Sequence, residues 1–185
     1  MNADVLVSFE RSPVIAAIHD DRWDNAINSP VEVIIHLNLN IFSVKKYVED
    51  AHSNGKLLLA HIDLLEGIAK DKQGIEFLKA CGVDGIVSTK SALIRHAKAC
   101  GLITVLRMFL LDSQGIGNMD GVINSTTPDF VEIMPGVVTK EIQRFSKGKT
   151  PVIAGGLIET KQEVTAALSS GAIAVSTGKE ELWYL

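Results

Sequence analysis

The sequence predicts an α/β protein of the (β/α)₈ TIM-barrel type, compact and with short helices. Short apolar runs rich in β-branched residues recur eight times, and helix-like stretches lie between most of them. The runs are continuous rather than alternating in polarity, which is typical of strands buried on both faces of a parallel sheet. Eight strands in one series favour a closed barrel over an open sheet, so we expect residues 1–185 to form one barrel domain. The predicted strands are Pro13–Ile18, Val31–Leu37, Lys56–Ile62, Gly85–Thr89, Ile103–Phe109, Phe130–Met134, Pro151–Ala154 and Ala172–Ser176.

Capping residues and glycines mark the helices between these strands. Thr160 and Glu163 have the spacing of a capping box, and Gly171 is placed to end that helix. The segment Asp112–Thr126 contains three glycines and predicts a loop or a broken helix, while Asp20–Pro30 has room for only one or two turns. The other predicted helix starts, each with the glycine that ends the helix, are Ser43 with Gly55, Asp71 with Gly82, and Ser91 with Gly101.

Composition and charge exclude several classes of protein. The net charge of −4 and the pI near 5.7 give no overall basic field for nucleic acid, so RNA binding would need a local patch, which a homodimer would double. Met1–Arg11 does not have the pattern of a secretory signal, and no apolar stretch approaches 18 residues, so we expect a cytoplasmic protein with no membrane span. Cys81 and Cys100 each precede a glycine and are interpreted as small buried hydrophobic residues, and we predict no metal and no cofactor.

The ends of the last two predicted strands indicate a phosphate site. Pro151–Gly156 ends on two glycines before a capped helix, and Ala172–Gly178 ends on two hydroxyls and a glycine. Glycines let backbone amides approach an anion, and the loops after strands seven and eight are the usual phosphate site of a TIM barrel. The alternative for each half alone is a tight turn or an ordinary strand end. The predicted phosphate-binding residues are Gly155, Gly156, Ser176, Thr177 and Gly178.

Two carboxylates follow the third predicted strand. Alternation along the strand would place His61 and Asp63 on one face, with Glu66 in the following loop. Such a pair could act as acid and base, hold a metal, or accept ligand hydroxyls. Equally, Asp63 could cap the next turn and Glu66 could be solvated.

Other polar residues are expected at the same mouth of the barrel. Arg107 lies in an apolar run and needs a partner, for which Glu132 on the adjacent strand is the obvious candidate. That ion pair and direct contact with a ligand are both open alternatives. The residues predicted to supply polar groups at the mouth are His19, His61, Asp63, Glu66, Lys90, Arg107 and Glu132.

Two basic clusters stand out, but their spacing is typical of solvated helix faces, and no aromatic platform accompanies them. Spacing alone therefore does not predict RNA binding. The clusters are Lys140, Arg144, Lys147 and Lys149, and Lys90, Arg95, His96 and Lys98.

Several longer motifs occur in a fixed order along the chain: Ala60–Gly67, Asp84–Ser91, Arg107–Ser113, Pro128–Gly136, Pro151–Ile158, and Ala174–Thr177 with Leu182 and Trp183. In these motifs, and from the first strand to Trp183, the sequence resembles the glycerol uptake operon antiterminator proteins. The resemblance implies a bacterial regulator rather than an enzyme, with a TIM-like fold. It also implies that the protein responds to glycerol 3-phosphate, binds the leader of messenger RNA for glycerol-use genes, prevents termination and stabilises the message.

For the site, the resemblance implies that the glycines and hydroxyls of the last two strands hold the phosphate. Asp63, Glu66 or Lys90 would then reach the hydroxyls of the ligand. Gly178–Lys179 departs mildly from the family, where a more neutral pair is expected.

Two other functions remain compatible with the residues. One is an enzyme acting on a small phosphorylated metabolite, with Asp63 or Glu66 as the base and Lys90 as an electrostatic stabiliser. The other is a metabolite-binding module that acts through a protein partner.

Overall fold

The computed structural model describes residues 3–185 and forms a closed barrel of eight parallel strands, each paired with the next in chain order and β8 paired with β1. The (β/α)₈ prediction is thereby confirmed, and every predicted strand overlaps an observed one. The strands are β1 (Val14–Ile18), β2 (Val33–His36), β3 (Leu57–His61), β4 (Gly85–Ser88), β5 (Ile103–Phe109), β6 (Phe130–Met134), β7 (Val152–Gly155) and β8 (Ala174–Thr177).

Helices precede β1 and follow each of the first seven strands, while short 3₁₀ turns occupy Asp20–Arg22, Ile62–Leu64 and Glu180–Tyr184. The helices are α1 (Ala3–Arg11), α2 (Trp23–Asn28), α3 (Val44–Ser53), α4 (Lys72–Ala80), α5 (Ser91–Ala99), α6 (Ser113–Thr126), α7 (Thr139–Phe145) and α8 (Lys161–Ser169).

The predicted caps are confirmed at two helices. The Asp71 carboxylate accepts a hydrogen bond from the Gly74 amide, and Thr160 and Glu163 form the full capping box of α8. Ser43 and Ser91 do not cap their helices through their side chains. At α3 the Asn40 side chain takes that role, because its oxygen accepts from the amide of Ser43.

The prediction of a loop or broken helix over Asp112–Thr126 was wrong, since α6 runs without interruption. Asp112 caps the helix by accepting from the Gly115 amide, and Met119 and Ile123 are buried one turn apart. Burial of this apolar stripe outweighs the cost of the glycines, which is about 1 kcal/mol each relative to alanine in a helix interior.

Helix α1, which the sequence reasoning did not predict, covers the N-terminal end of the barrel. Val5 and Phe9 belong to the same apolar cluster as the inward-facing strand residues Ile15 and Phe130. The rings of Phe9 and Phe130 meet edge to face with centroids 5.4 Å apart. Burying an aromatic pair in this way excludes water from that end of the barrel.

The C-terminal turn Glu180–Tyr184 fastens the end of β8. Trp183 is fully buried, and its Nε1 donates to the Thr177 carbonyl at 2.9 Å. No helix within residues 3–185 is both long and apolar enough to cross a bilayer.

Candidate functional site

A cleft of about 440 Å³ opens at the C-terminal ends of β1, β7 and β8. This is the barrel face on which TIM-barrel proteins bind their ligands. The cleft is lined by Ala17, His19, Asp21, Arg22, Leu37, Arg107, Met134, Gly156, Leu157, Ile158, Glu159, Ser176, Thr177, Gly178 and Lys179. Four of the five residues predicted to bind phosphate are therefore at the cleft, and Gly155 lies buried directly beneath it.

The turn after β7 has an unusual backbone. Gly156 and Leu157 have φ angles of +73° and +58°, so two consecutive residues adopt the left-handed conformation. This conformation is uncommon for leucine, and residues held in it cluster at ligand-binding sites. The Leu157 side chain is 69% exposed, so packing of that side chain does not explain the strain.

Gly155 cannot carry a side chain. A Cβ at this position would lie 2.4 Å from Oε1 of Glu132 and 2.6 Å from Oγ of Ser176. The glycine therefore makes room for polar groups inside the barrel instead of approaching an anion itself.

The two hydroxyls at the end of β8 have other partners. Ser176 donates to Oε1 of Glu132 at 2.5 Å, and Thr177 donates to the Ile158 carbonyl at 2.8 Å. Because a hydroxyl has one hydrogen to donate, neither can also donate to a phosphate in this arrangement. Thr177 instead ties the β7–α8 turn to the end of β8.

Backbone amides at the same cleft are better placed to donate. Within residues 3–185, the amides of Leu157 and Gly178 have no hydrogen-bond acceptor. The N-terminal amides next to α8 are less available, because the Glu163 carboxylate accepts from those of Glu159 and Thr160. Hydrogen bonding to these amides, together with that of the Thr160 hydroxyl, lowers the pKa of Glu163.

Two cations that the sequence reasoning missed lie at the cleft. Arg22 donates to the Gly178 carbonyl and has Glu180 3.9 Å away, and Lys179 lies 3.6 Å from Glu159. All four charged groups of these pairs are more than a third exposed, so each pair contributes little to stability and can be exchanged for another anion. Lys179 could have been found from its place after the predicted Ser-Thr-Gly, whereas Arg22 comes from a segment whose path the sequence did not reveal.

Beneath the cleft, polar side chains fill the upper barrel interior. Nε of Arg107 lies 2.5 Å from Oε2 of Glu132, and both side chains are buried, which confirms the predicted ion pair. Glu132 also accepts from Ser176, so one carboxylate joins β5, β6 and β8. Arg107 and Ser176 both line the cleft, and Arg107 is the member of this group that can donate to a ligand, because the Ser176 hydroxyl already donates to Glu132.

His19 and His61 occupy different levels of the mouth. His19 lines the cleft, whereas His61 is 3% exposed, and its Nδ1 has no partner within the described residues. Burial and the nearby Arg107 guanidinium lower the pKa of His61. Both effects favour the neutral form of the His61 ring.

Asp63, Glu66 and Lys90 do not line this cleft. The chain leaves β3 at His61 and enters a 3₁₀ turn, so Asp63 does not continue the strand face. Its carboxylate accepts from Oγ of Ser88 at 2.9 Å and from the Thr89 amide at 2.7 Å. Burial raises the pKa of Asp63, but these hydrogen bonds and that of the Thr89 hydroxyl outweigh it and lower the pKa overall. Glu66 and Lys90 are exposed.

Ion pairs engage part of each basic cluster. Arg144 pairs with Asp120 and Glu141, Lys98 lies 3.3 Å from Asp129, and His96 lies 3.2 Å from Glu76. The remaining lysines of the two clusters and Arg95 have no ion pair within residues 3–185. Cys81 and Cys100 are free and partly buried at the ends of α4 and α5, and no group of three His, Cys, Asp or Glu residues within 3–185 is placed to hold a metal ion.

Comparison with known proteins identifies the family to which the chain belongs. The family model described as "Glycerol-3-phosphate responsive antiterminator" matches residues 14–183. The chain belongs to this family. The family description is that of a regulator, and the resemblance noted from the sequence motifs is confirmed.

Three proteins are similar to this chain over most of its length. The glycerol uptake operon antiterminator regulatory protein of Listeria monocytogenes has 34% identity and a TM-score of 0.86, covering 92% of this chain and 94% of its own. A glycerol uptake operon antiterminator-related protein of Thermotoga maritima has 30% identity and a TM-score of 0.83, with 93% and 98% covered. The Escherichia coli protein YgcP is 35% identical over 178 residues, which are 95% of this chain and 93% of YgcP.

Proposed function

We propose that this single-domain protein is a cytoplasmic sensor of glycerol 3-phosphate. We propose that it binds the leader messenger RNA of glycerol-use genes, prevents termination there and stabilises the message. The proposal rests on family membership together with the cleft of this chain. In that cleft, two backbone amides without acceptors among the described residues lie close to two cations whose ion pairs are exposed to solvent. Leu157 and Gly178 supply the amides, and Arg22 and Lys179 supply the cations.

The phosphate end of the ligand is assigned to this group. A phosphate dianion would accept hydrogen bonds from the two amides. It would also replace Glu159 as the ion-pair partner of Lys179 and Glu180 as that of Arg22. Both carboxylates are exposed and remain hydrated when they lose their partners, so the exchange costs little.

The hydroxyl end of the ligand is assigned to Arg107 and His19 across the cleft. Both residues line the cleft, while Asp63 is engaged with the β4–α5 loop and Glu66 and Lys90 lie outside. A three-carbon ligand therefore contacts Arg107. Through Arg107, ligand binding affects the Arg107–Glu132–Ser176 hydrogen-bonded group inside the barrel.

The same placements weigh against the enzyme alternative. That mechanism needs Asp63 or Glu66 as a base within reach of the ligand. Asp63 accepts several hydrogen bonds and has a lowered pKa, which makes it a weak base, and neither carboxylate lines the cleft.

Calorimetric titration with glycerol 3-phosphate and with glycerol tests the effector site. We expect binding of the phosphate ester and at least about 100-fold weaker binding of glycerol, because the charged contacts would be lost. Equal affinities would rule out the phosphate cradle.

An electrophoretic shift assay with the leader RNA tests the regulatory part. We expect a shift that depends on glycerol 3-phosphate and weakens with added salt. Absence of a shift at low salt, with and without the effector, would overturn the RNA-binding proposal while leaving the effector site standing. Sedimentation in the same buffers would determine whether the RNA-binding form is a homodimer.

A further inference from the structure

A second cavity of about 460 Å³ lies at the C-terminal end of β5, between that strand, the β4–α5 loop and α6. It is lined by Thr89, Leu106, Arg107, Met108, Phe109, Leu111, Asp112, Gln114, Gly115, Asn118, Met119 and Val122. The first cleft alone is already in the size range that accommodates drug-sized ligands. A three-carbon phosphate therefore leaves the second cavity unexplained.

The apolar part of this cavity suits a flat ring. Met108 and Met119 line it, and thioether side chains adapt their shape to an inserted group. The Phe109 ring at its edge is 47% exposed, although it ends a barrel strand whose preceding residues are mostly buried. A half-exposed aromatic ring beside a cavity is a stacking surface for a planar heterocycle.

The polar part can recognise the edge of such a ring. Gln114 and Asn118 lie one turn apart on α6, both are exposed, and within residues 3–185 neither side chain has a hydrogen-bond partner. A carboxamide both donates and accepts, as the edge of a nucleobase requires. Gly115, next to Gln114 on the same helix, adds no side chain to the cavity wall.

The cavity rim carries one cation without an ion pair in the described part of the chain, Lys90, and one carboxylate, Asp112, which accepts a hydrogen bond from the Gly115 amide. Lys90 directly follows Thr89, which lines the cavity, and no carboxylate among the described residues pairs with it. An exposed lysine at this position can contact the phosphate that accompanies a bound base. Other members of the two basic clusters do not line this cavity, and two of them, Lys98 and Arg144, are already paired.

We propose that the β5–α6 cavity binds one nucleobase of a single-stranded RNA, with Phe109 stacking on the base and Gln114 and Asn118 contacting its edge. Arg107 forms a wall of both cavities, so a group that moves Arg107 in the effector cleft also changes this one. The inference rests on the proposed RNA binding and adds its location.

The first test compares Phe109→Ala with Phe42→Ala, an aromatic residue that is 96% exposed on the β2–α3 loop and lies outside the cavity. Fluorescence anisotropy with labelled leader RNA should show about tenfold weaker binding for Phe109→Ala, because one stacked base is lost, and no change for Phe42→Ala. Phe109→Tyr keeps an aromatic ring and should bind the RNA like the wild type. Calorimetry should give unchanged affinity for glycerol 3-phosphate in all three variants.

The second test addresses the amides. Gln114→Ala with Asn118→Ala should weaken RNA binding, whereas Gln143→Ala, an exposed amide on α7, should not. Photocrosslinking of RNA that carries 4-thiouridine should label the peptide from Phe109 to Asn118 in the wild-type protein.

The outcomes separate the two proposals. If the wild-type protein binds RNA and the cavity variants bind it equally well, the nucleobase site is wrong and the regulatory function stands. If the wild-type protein binds no RNA, both are wrong. If the variants change self-association and leave RNA affinity unaltered, the cavity is a protein contact and the inference is overturned.

Discussion

The two ends of the barrel interior differ in polarity. At the N-terminal end, Ile15 and Phe130 pack against Phe9 of α1 in an apolar cluster closed to water. At the C-terminal end, Arg107, Glu132 and Ser176 form a buried polar group under an open cleft. The first end stabilises the barrel, and the second gives up apolar packing for groups that can contact a ligand.

The largest effect should come from breaking the polar end. Glu132→Ala leaves the Arg107 guanidinium buried without its partner, and we expect a loss of about 4 kcal/mol in the free energy of unfolding. Urea denaturation measures it. Glu132→Leu combined with Arg107→Met should recover much of that stability but bind glycerol 3-phosphate poorly. Equal loss of stability in the single and double variants would contradict this account.

A substitution at the apolar end should lower the stability of the protein and leave its ligand affinity unchanged. Phe9→Ala removes the ring that packs on Phe130, and we expect a loss of about 3 kcal/mol from the cavity that remains. Calorimetry on the folded variant should give wild-type affinity for glycerol 3-phosphate. A loss of affinity at constant fold would show that the two ends are coupled.

His36, the last residue of β2, packs its ring against helices α2 and α3 and allows the comparison to be extended to pH. Its ring is fully buried among Trp23 and Tyr47, and Nε2 lies 3.1 Å from Oδ1 of Asp20 without the geometry of a hydrogen bond. Burial lowers the pKa of His36 to about 4, while Asp20 opposes the shift.

The unfolded chain therefore takes up the His36 proton at a higher pH than the folded protein. The contribution of His36 to stability is present above the usual histidine pKa of about 6.5 and is lost as pH falls toward 4, by up to about 3 kcal/mol. His36→Phe should flatten the stability profile between these pH values relative to the wild type. An unchanged profile in His36→Phe would contradict the assignment.

A smaller effect should be confined to ligand binding. Lys179→Ala removes one charged contact to the phosphate, and we expect about 2 kcal/mol weaker binding of glycerol 3-phosphate by calorimetry. Lys161→Ala, an exposed lysine on α8 outside the cleft, is the matched control. Both variants should melt like the wild type, because the Lys179–Glu159 pair is exposed.

The smallest effect should have the opposite sign. A Cβ at Gly117 would meet no atom within 4 Å, so Gly117→Ala should stabilise α6 by about 0.8 kcal/mol. Gly155→Ala is the contrasting variant and should destabilise the protein, because its Cβ would overlap Glu132. A destabilised Gly117→Ala variant would contradict this expectation.

The sequence was sufficient to predict the eight strands, because each is a buried apolar run. It also offered the Arg107–Glu132 pair as one of two alternatives, because a buried arginine needs a partner. It was not sufficient for α1, whose partner Phe130 lies far along the chain. It left the role of Asp63 open, because the sequence does not show that the turn after β3 directs this side chain toward Ser88. Such outcomes depend on where the loops run, and local pattern does not encode that.

The attachment of Trp183 has a consequence for how the cleft opens. Its indole donates a hydrogen bond to the Thr177 carbonyl, and the Thr177 hydroxyl donates one to the Ile158 carbonyl. The C-terminal turn, the end of β8 and the β7–α8 turn are therefore linked by consecutive hydrogen bonds. Segments linked in this way open as one cooperative unit. Their amides should exchange with deuterium together, and a bound effector that slows one of them should slow them all.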